Sequence, residues 1–224
     1  MKPIAALACL AAALGLSACA TSGMSRDRYD RLVGDVANPS KVIATELAFA
    51  QAARTEGQWT AFREYAGEGA VILGPGGAIA AMPWLKQQTD PAQAVSWEPY
   101  AVWSSCDGSL AVTRGTYSEP GGVQGTFDTV WHRQKDGDYR WVLDFAYPDA
   151  AEEKPEMIAA KVADCGAPAA QLVADPATTR IASDDNTLVV DYAGSASGAR
   201  QVTVGFLTDG AMQSVVDDAV TTND

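Results

Sequence analysis

FDTVWHRQKDGDYRWVLDFA, residues 127–146, alternates apolar and polar side chains on both sides of an Asp136-Gly137 pair. Alternation with a period of two predicts half-buried β-strands. An Asp-Gly pair between two such runs is a strong signal for a β-hairpin, because glycine accepts the positive φ that a tight turn needs. The stretch therefore predicts two adjacent antiparallel strands, over 123–135 and 139–146.

Two more strands precede this hairpin. Residues 95–106 and 109–118 alternate in the same way and are joined by Asp107-Gly108, and Glu119-Pro120-Gly121-Gly122 leads on to the hairpin. Upstream, Asn38 and Pro39 are typical of a helix start; this helix ends near Gly57, and two short helices and two short strands follow. Helices first and one long antiparallel sheet afterwards predict an α+β layout.

Three segments carry a resemblance to a known superfamily: VSWEP (95–99), DGSLAVTRGTYSEPGG (107–122) and the opening stretch. They resemble the NTF2-like superfamily and, within it, the SnoaL-like or DUF4440 group, over about residues 40–147. The resemblance implies an α+β cone in which a curved antiparallel sheet folds around N-terminal helices and often encloses a pocket. Its members include isomerases, cyclases and dehydratases as well as proteins without known activity, so the fold by itself gives no function. The domain is expected over residues 38–148.

The character of the chain changes after Pro148. Residues 149–170 are rich in alanine, glutamate and proline and predict a short helix that contains Cys165. Residues 179–216 alternate again, between turns rich in glycine and serine. Residues 149–224 are therefore expected to form a small C-terminal extension of one short helix and β-hairpins.

The N-terminus indicates where the protein is found. Lys2 precedes an uncharged run over residues 4–16, which is shorter than the roughly 20 apolar residues needed to span a bilayer and fits a secretory signal. Leu16-Ser17-Ala18-Cys19 resembles the lipobox of bacterial lipoproteins. This implies a signal peptide over 1–18, a lipid on Cys19 that holds the protein to the membrane, and a tether over 19–37. Ordinary secretion, with Ala18 or Ala20 as the cleavage residue, is the alternative.

The pairing of the cysteines follows from this location. By the lipobox resemblance, Ala20 after the modified cysteine favours the outer membrane of the bacterial cell envelope, facing an oxidising periplasm. Cys9 leaves with the signal and Cys19 is modified, so Cys106 and Cys165 remain as an even pair. Thiols left over in such a compartment more often pair than stay free. A Cys106–Cys165 disulfide is expected, with two unpaired buried thiols as the alternative.

Composition excludes several classes of function. The net charge of −12 at pH 7 argues against nucleic acid and against polybasic attachment to anionic lipid. The chain has one histidine and its cysteines are otherwise engaged, so no zinc site is visible, and neither a phosphate-binding loop nor a Gly-x-Ser-x-Gly elbow occurs. The six tryptophans are interpreted as core and pocket wall. No cofactor and no metal are expected.

Register carried through the hairpin loops predicts which side chains share one face of the sheet. Thr129 falls opposite Asp144. Arg114 falls opposite Phe127, which places Arg114 and Asp144 diagonally to each other on one apolar face. This face is the candidate ligand site, and the alternative is a structural ion pair, or a pair exposed on the outside of the cone. The ligand-contacting candidates are Trp103, Arg114, Thr129, Trp131 and Asp144.

Three functions fit these observations. The first, which we prefer, is a lipid-anchored, non-catalytic envelope protein that binds a small apolar ligand or an envelope partner. The second is an isomerase, cyclase or dehydratase with Asp144 as base and Arg114 as its electrostatic partner. Against it, Gly74 stands where the ketosteroid isomerase branch implies a carboxylate. The third is a structural interaction module that forms a homodimer through the sheet, which a large exposed apolar patch would favour.

Overall fold

The computed structural model of the protein describes residues 36–149, 155–166 and 175–221. Strands account for 49% of it and helices for 17%. In these residues three helices accompany two β-sheets, and the larger sheet contains parallel as well as antiparallel neighbours. The expected α+β cone, with N-terminal helices inside a curved antiparallel sheet, is therefore wrong: the protein is mostly β.

The first helix begins where the sequence predicts. In α1 (Pro39–Thr55), the Asn38 side chain accepts a hydrogen bond from the Lys41 backbone N–H at 3.1 Å, and proline occupies the first turn. Gly57, with a φ of 121°, lets the chain turn into α2 (Gln58–Tyr65). The third helix, α3, is Ala81–Leu85.

The seven-stranded sheet has the order β2-β1-β6-β5-β4-β3-β7. Its strands are β1 (Ala66–Gly74), β2 (Gly77–Ala80), β3 (Ser96–Ser104), β4 (Leu110–Ser118), β5 (Gln124–Arg133), β6 (Tyr139–Pro148) and β7 (Ala159–Val162). The predicted meander is confirmed as β3 to β6. The sequence did not predict that β1 runs parallel to β6, or that β7 runs parallel to β3 where a helix was expected.

The loop between β4 and β5 changes the predicted register. Ser118 pairs with Gln124, so the loop has one residue more than its Glu-Pro-Gly-Gly motif. Arg114 therefore lies opposite Asp128 rather than Phe127. Because successive side chains in a strand point to opposite faces, this slip of one residue moves Arg114 to the other face of the sheet.

The hairpin between β5 and β6 contains two compensating deviations. Arg133 pairs with Tyr139, which makes this loop longer than its Asp-Gly pair. The register then shifts between Val130 and Trp131, a β-bulge that restores the predicted pairing of Thr129 with Asp144. The expected Thr129–Asp144 pair is confirmed.

A second sheet covers one face of the first. Its strands are β8 (Thr179–Ala182), β9 (Leu188–Gly194), β10 (Arg200–Thr208) and β11 (Ala211–Val220), all antiparallel in the order β11-β10-β9-β8. We call the face of the seven-stranded sheet that packs on this second sheet the outer face, and the face that packs on the helices the inner face. Trp103 and Phe145 are buried on the outer face, and Trp97 and Trp131 on the inner face.

The Cys106–Cys165 disulfide is confirmed, with the two Cα atoms 5.2 Å apart. It links the loop after β3 to the segment after β7. The expected signal peptide, the expected lipid attachment at Cys19 and most of the expected tether fall outside the described residues. No helix in the described part of the chain has the length and apolar character that crossing a membrane requires.

Candidate functional site

A cavity of about 400 Å³ lies between the helices and the inner face of the seven-stranded sheet. This volume is in the range of small-molecule sites. Aromatic side chains from α1, α2, α3, β3 and β5 form most of its wall, and their rings meet mainly edge to face, the geometry that aromatic quadrupoles favour. The main aromatic wall residues are Phe49, Trp59, Phe62, Trp84, Trp97 and Phe127.

Asp144 is the carboxylate on the sheet wall of the cavity. It stands on β6 beside Thr129 of β5, whose hydroxyl donates a hydrogen bond to Asp144 Oδ2 at 3.3 Å. Burial raises the pKa of Asp144 to about 7, and the nearby charge of Glu46 adds to the rise. Near neutral pH this carboxyl can therefore either accept or donate a proton.

Glu46 is hydrogen-bonded to side chains of the cavity wall and of the sheet behind it. This fully buried side chain of α1 accepts hydrogen bonds from Trp97 Nε1 at 2.7 Å, Trp131 Nε1 at 3.0 Å and Thr113 Oγ1 at 2.5 Å. Burial raises the pKa of Glu46 in spite of these three donors. Because Trp97 lines the cavity, this network holds a wall residue to α1.

Arg200 reaches the cavity from the second sheet. It stands at the start of β10, lines the cavity and is only 7% exposed. Its Nη1 donates to the carbonyl oxygen of Ala146 at 3.1 Å and, at 3.5 Å, to that of Leu73. Burial lowers the pKa of this guanidinium. The cavity thus has a carboxyl group and a guanidinium along one strand, since Asp144 and Ala146 both belong to β6.

The structure separates the five predicted ligand contacts. Thr129 and Asp144 line the cavity. Trp131 lies on the same face but is fully buried beside Glu46. Trp103 and Arg114 lie on the outer face, so the diagonal pair of Arg114 and Asp144 does not form.

Arg114 takes part in an ionic network between the two sheets. Its Nη1 donates to Asp128 Oδ2 at 2.8 Å and to Asp218 Oδ2 of β11 at 2.6 Å. Its Nε and Nη2 donate to the hydroxyls of Tyr100 and Tyr147. Burial raises the pKa of Asp128 well above its usual range. Burial also acts on Asp218, but hydrogen bonds from Arg114, Asp128 and Tyr147, together with the positive charge of Arg114, outweigh it and lower the pKa of Asp218. The structural ion pair of Arg114 with Asp144, which the sequence left open as an alternative, does not form, because Arg114 pairs with Asp128 and Asp218 instead.

Sequence reasoning missed Arg200 because nothing in the local pattern relates β10 to the end of β6. It also missed that the helices supply the aromatic wall, although Trp59 and Phe62, three apart on a short helix, were a signal for one apolar face. The described residues contain no cluster of histidine, cysteine, aspartate and glutamate that could hold a metal ion.

No family model matches this chain, and no curated protein matches it either. The resemblance to the NTF2-like superfamily therefore stays a prediction that rests on the quoted residues.

Proposed function

We propose that this protein binds a small, mostly apolar molecule in the aromatic cavity. The observation that carries the proposal is the contrast inside the cavity between walls of tryptophan and phenylalanine and a smaller number of polar groups. Cavities of this kind take apolar ligands, because the wall gains from excluding water while the polar groups orient the ligand.

Asp144 and Thr129 are the orienting groups at the centre of the sheet wall. A ligand carbonyl or hydroxyl next to them can accept a proton from the neutral carboxyl or donate one to the carboxylate. Leaving a buried polar group without a partner costs about 1–3 kcal/mol, so ligands with one polar group at this point are favoured over pure hydrocarbons.

The expected lipid on Cys19 belongs to the same proposal. It would hold the cavity close to the membrane surface of the cell envelope, where apolar molecules partition. The proposal of ligand binding does not depend on the anchor.

Binding of naphthalene-2-carboxamide, a neutral aromatic probe, tests the proposal. Isothermal titration calorimetry is expected to show binding to the parent and at least tenfold weaker binding to Ala146→Trp, which fills the cavity from β6. Ala219→Trp is the matched control, because Ala219 is an exposed strand alanine on β11 that does not line the cavity. No binding to the parent, or equal binding to both variants, would refute the proposal.

Proton transfer is a second candidate function, favoured by the pKa of about 7 at Asp144. A carboxylate in an apolar cavity is placed to remove a proton from a carbon next to a ligand carbonyl and to return it to that carbon or a neighbouring one. The test is deuterium exchange at the carbon beside the carbonyl of 1-tetralone, followed by proton NMR in heavy water. The parent is expected to accelerate exchange and Asp144→Asn to lose at least about 100-fold of that rate; equal rates would exclude this role.

The third hypothesis, a module that dimerises through the sheet, has less support. The outer face of the seven-stranded sheet packs on the second sheet of the same chain, and the helices cover much of the inner face. Neither face of the described sheet offers the broad exposed apolar patch that this hypothesis needs. A homodimer stays a prediction without a surface to support it.

A further inference from the structure

Arg200 is a buried cation without an anionic partner. Lys41, Arg63, Arg114 and Arg180 form ion pairs within the described residues, and none of these pairs joins Arg200 to a carboxylate. Glu119 lines the same cavity, but no ion pair connects it to Arg200. The guanidinium lies over the Phe145 ring, 5.5 Å from its centroid, a contact that supplies no negative charge. Buried charges in proteins are normally paired, so a guanidinium that lines a cavity without a carboxylate partner indicates a site for an anion.

The hydrogen bonds of Arg200 leave the Nη2 of the guanidinium free. Nη1 is used by the carbonyl oxygens of Leu73 and Ala146. Nε has no acceptor, but it is fully enclosed, so a ligand does not reach it. Nη2 donates to no acceptor in the described part of the chain and is not enclosed in this way, so it can donate a charge-assisted hydrogen bond to an oxygen of a carboxylate.

The position of Arg200 relative to Asp144 sets the length of the ligand. Asp144 and Ala146 are two residues apart on β6, a distance of about 7 Å along a strand. Both line the cavity, and Arg200 is hydrogen-bonded to the carbonyl of Ala146. A ligand anion at Arg200 therefore leaves room for an aromatic body against the wall and for a second polar group near Asp144.

We propose that the ligand of this cavity is an aromatic carboxylate whose carboxylate group accepts a hydrogen bond from Nη2 of Arg200. The inference rests on the proposed function, because it assigns the ligand class of the same cavity. It also gives the second sheet a role, since β10 supplies the anion-binding residue of a cavity otherwise built by the helices and the seven-stranded sheet.

Two probes of nearly equal shape test the proposal: naphthalene-2-carboxylate and naphthalene-2-carboxamide. Calorimetric titration of the parent is expected to show at least about tenfold tighter binding of the carboxylate, as one charge-assisted hydrogen bond requires. Arg200→Gln is expected to remove this preference. Arg180→Gln is the matched control, because Arg180 belongs to the same sheet, pairs with Asp191 at 2.6 Å and does not line the cavity.

The outcomes separate this inference from the proposed function. Equal affinities of the parent for the two probes, or a preference that survives in Arg200→Gln, would overturn the role of Arg200 while ligand binding stands. Binding of neither probe to the parent would refute both. Arg200→Met answers the same question if Arg200→Gln does not fold: it removes the charge and every donor, so the preference is expected to disappear, and a preference that is retained contradicts the proposal.

Discussion

Removal of the Cys106–Cys165 disulfide is expected to destabilise the protein by about 4 kcal/mol. The two cysteines are 59 residues apart, and the cross-link removes the entropy that a loop of this length has in the unfolded chain. The chain-entropy relation gives about 14 cal/mol/K for such a loop, which is about 4 kcal/mol at 25 °C. In a domain of this size, 1 kcal/mol corresponds to a change in melting temperature of about 2–4 °C, so a fall of about 8–16 °C is expected.

The assay compares the free energy of unfolding in urea for the parent and for the Cys106→Ser/Cys165→Ser double variant. Each single Cys→Ser variant is the control, because loss of either partner opens the same loop and should cost as much as the double change. Cys165 is exposed, so a thiol reductant added to the parent should reproduce the loss without any substitution. A double variant within about 1 kcal/mol of the parent would refute the reasoning, because unfolded-state entropy would then not be the source of the stabilisation.

Three further predictions concern other parts of the molecule. The pKa of Asp144 is raised to about 7 in the folded protein, so the contribution of this carboxyl to stability is present below about pH 4 and is lost as the pH rises through about 7. Denaturation curves of the parent and of Asp144→Asn should therefore show a difference in unfolding free energy, parent minus variant, that falls across this pH interval. A constant difference would contradict the raised pKa. Arg114→Met should lower the unfolding free energy by about 3–5 kcal/mol in the same assay, because it leaves Asp128, which is 1% exposed, as an uncompensated buried acid. A decrease below about 1 kcal/mol would show that the ion pair adds nothing to stability. Gly115→Ala should lower the unfolding free energy by at least about 1–3 kcal/mol, because the Cβ of the new alanine would lie 2.2 Å from a backbone oxygen of β3. Gly121→Ala is the control and should be neutral, since no atom lies within 4 Å of the added Cβ. Similar effects of the two changes would contradict the close packing of β3 on β4.

The local features of this fold could be predicted because short-range chemistry decides them. Asn38 and Pro39 mark the start of α1 by capping and by a preset φ. The Asp-Gly pairs mark the turns because Gly108 and Gly137 have positive φ values of 69° and 85°. The alternation of residues 96–148 reports which strands are half-buried, since one face must be apolar wherever a sheet packs.

The candidate site was predicted only in part because face assignment depends on single-residue details. One extra residue in the loop after β4 turned Arg114 to the outer face, where Asp128 and Asp218 neutralise it. The pairing of Thr129 with Asp144 was predicted correctly because a longer loop and a β-bulge compensate each other. Loop length and bulges follow from the packing of both faces, which no local pattern shows.

By itself, the amino-acid sequence determined the order of the central strands, the start of the first helix and the cysteine pair, because each depends on neighbouring residues or on a small count. Only the tertiary structure decided that β1 and β7 join the sheet in parallel, that a second sheet covers the outer face, and that Arg200 lines the same cavity as Asp144. Arg200 and Ala146 are 54 residues apart in the chain and touch through one hydrogen bond. Contacts of this kind arise when whole faces are buried against each other, and burial is a property of the assembled sheets rather than of any one segment.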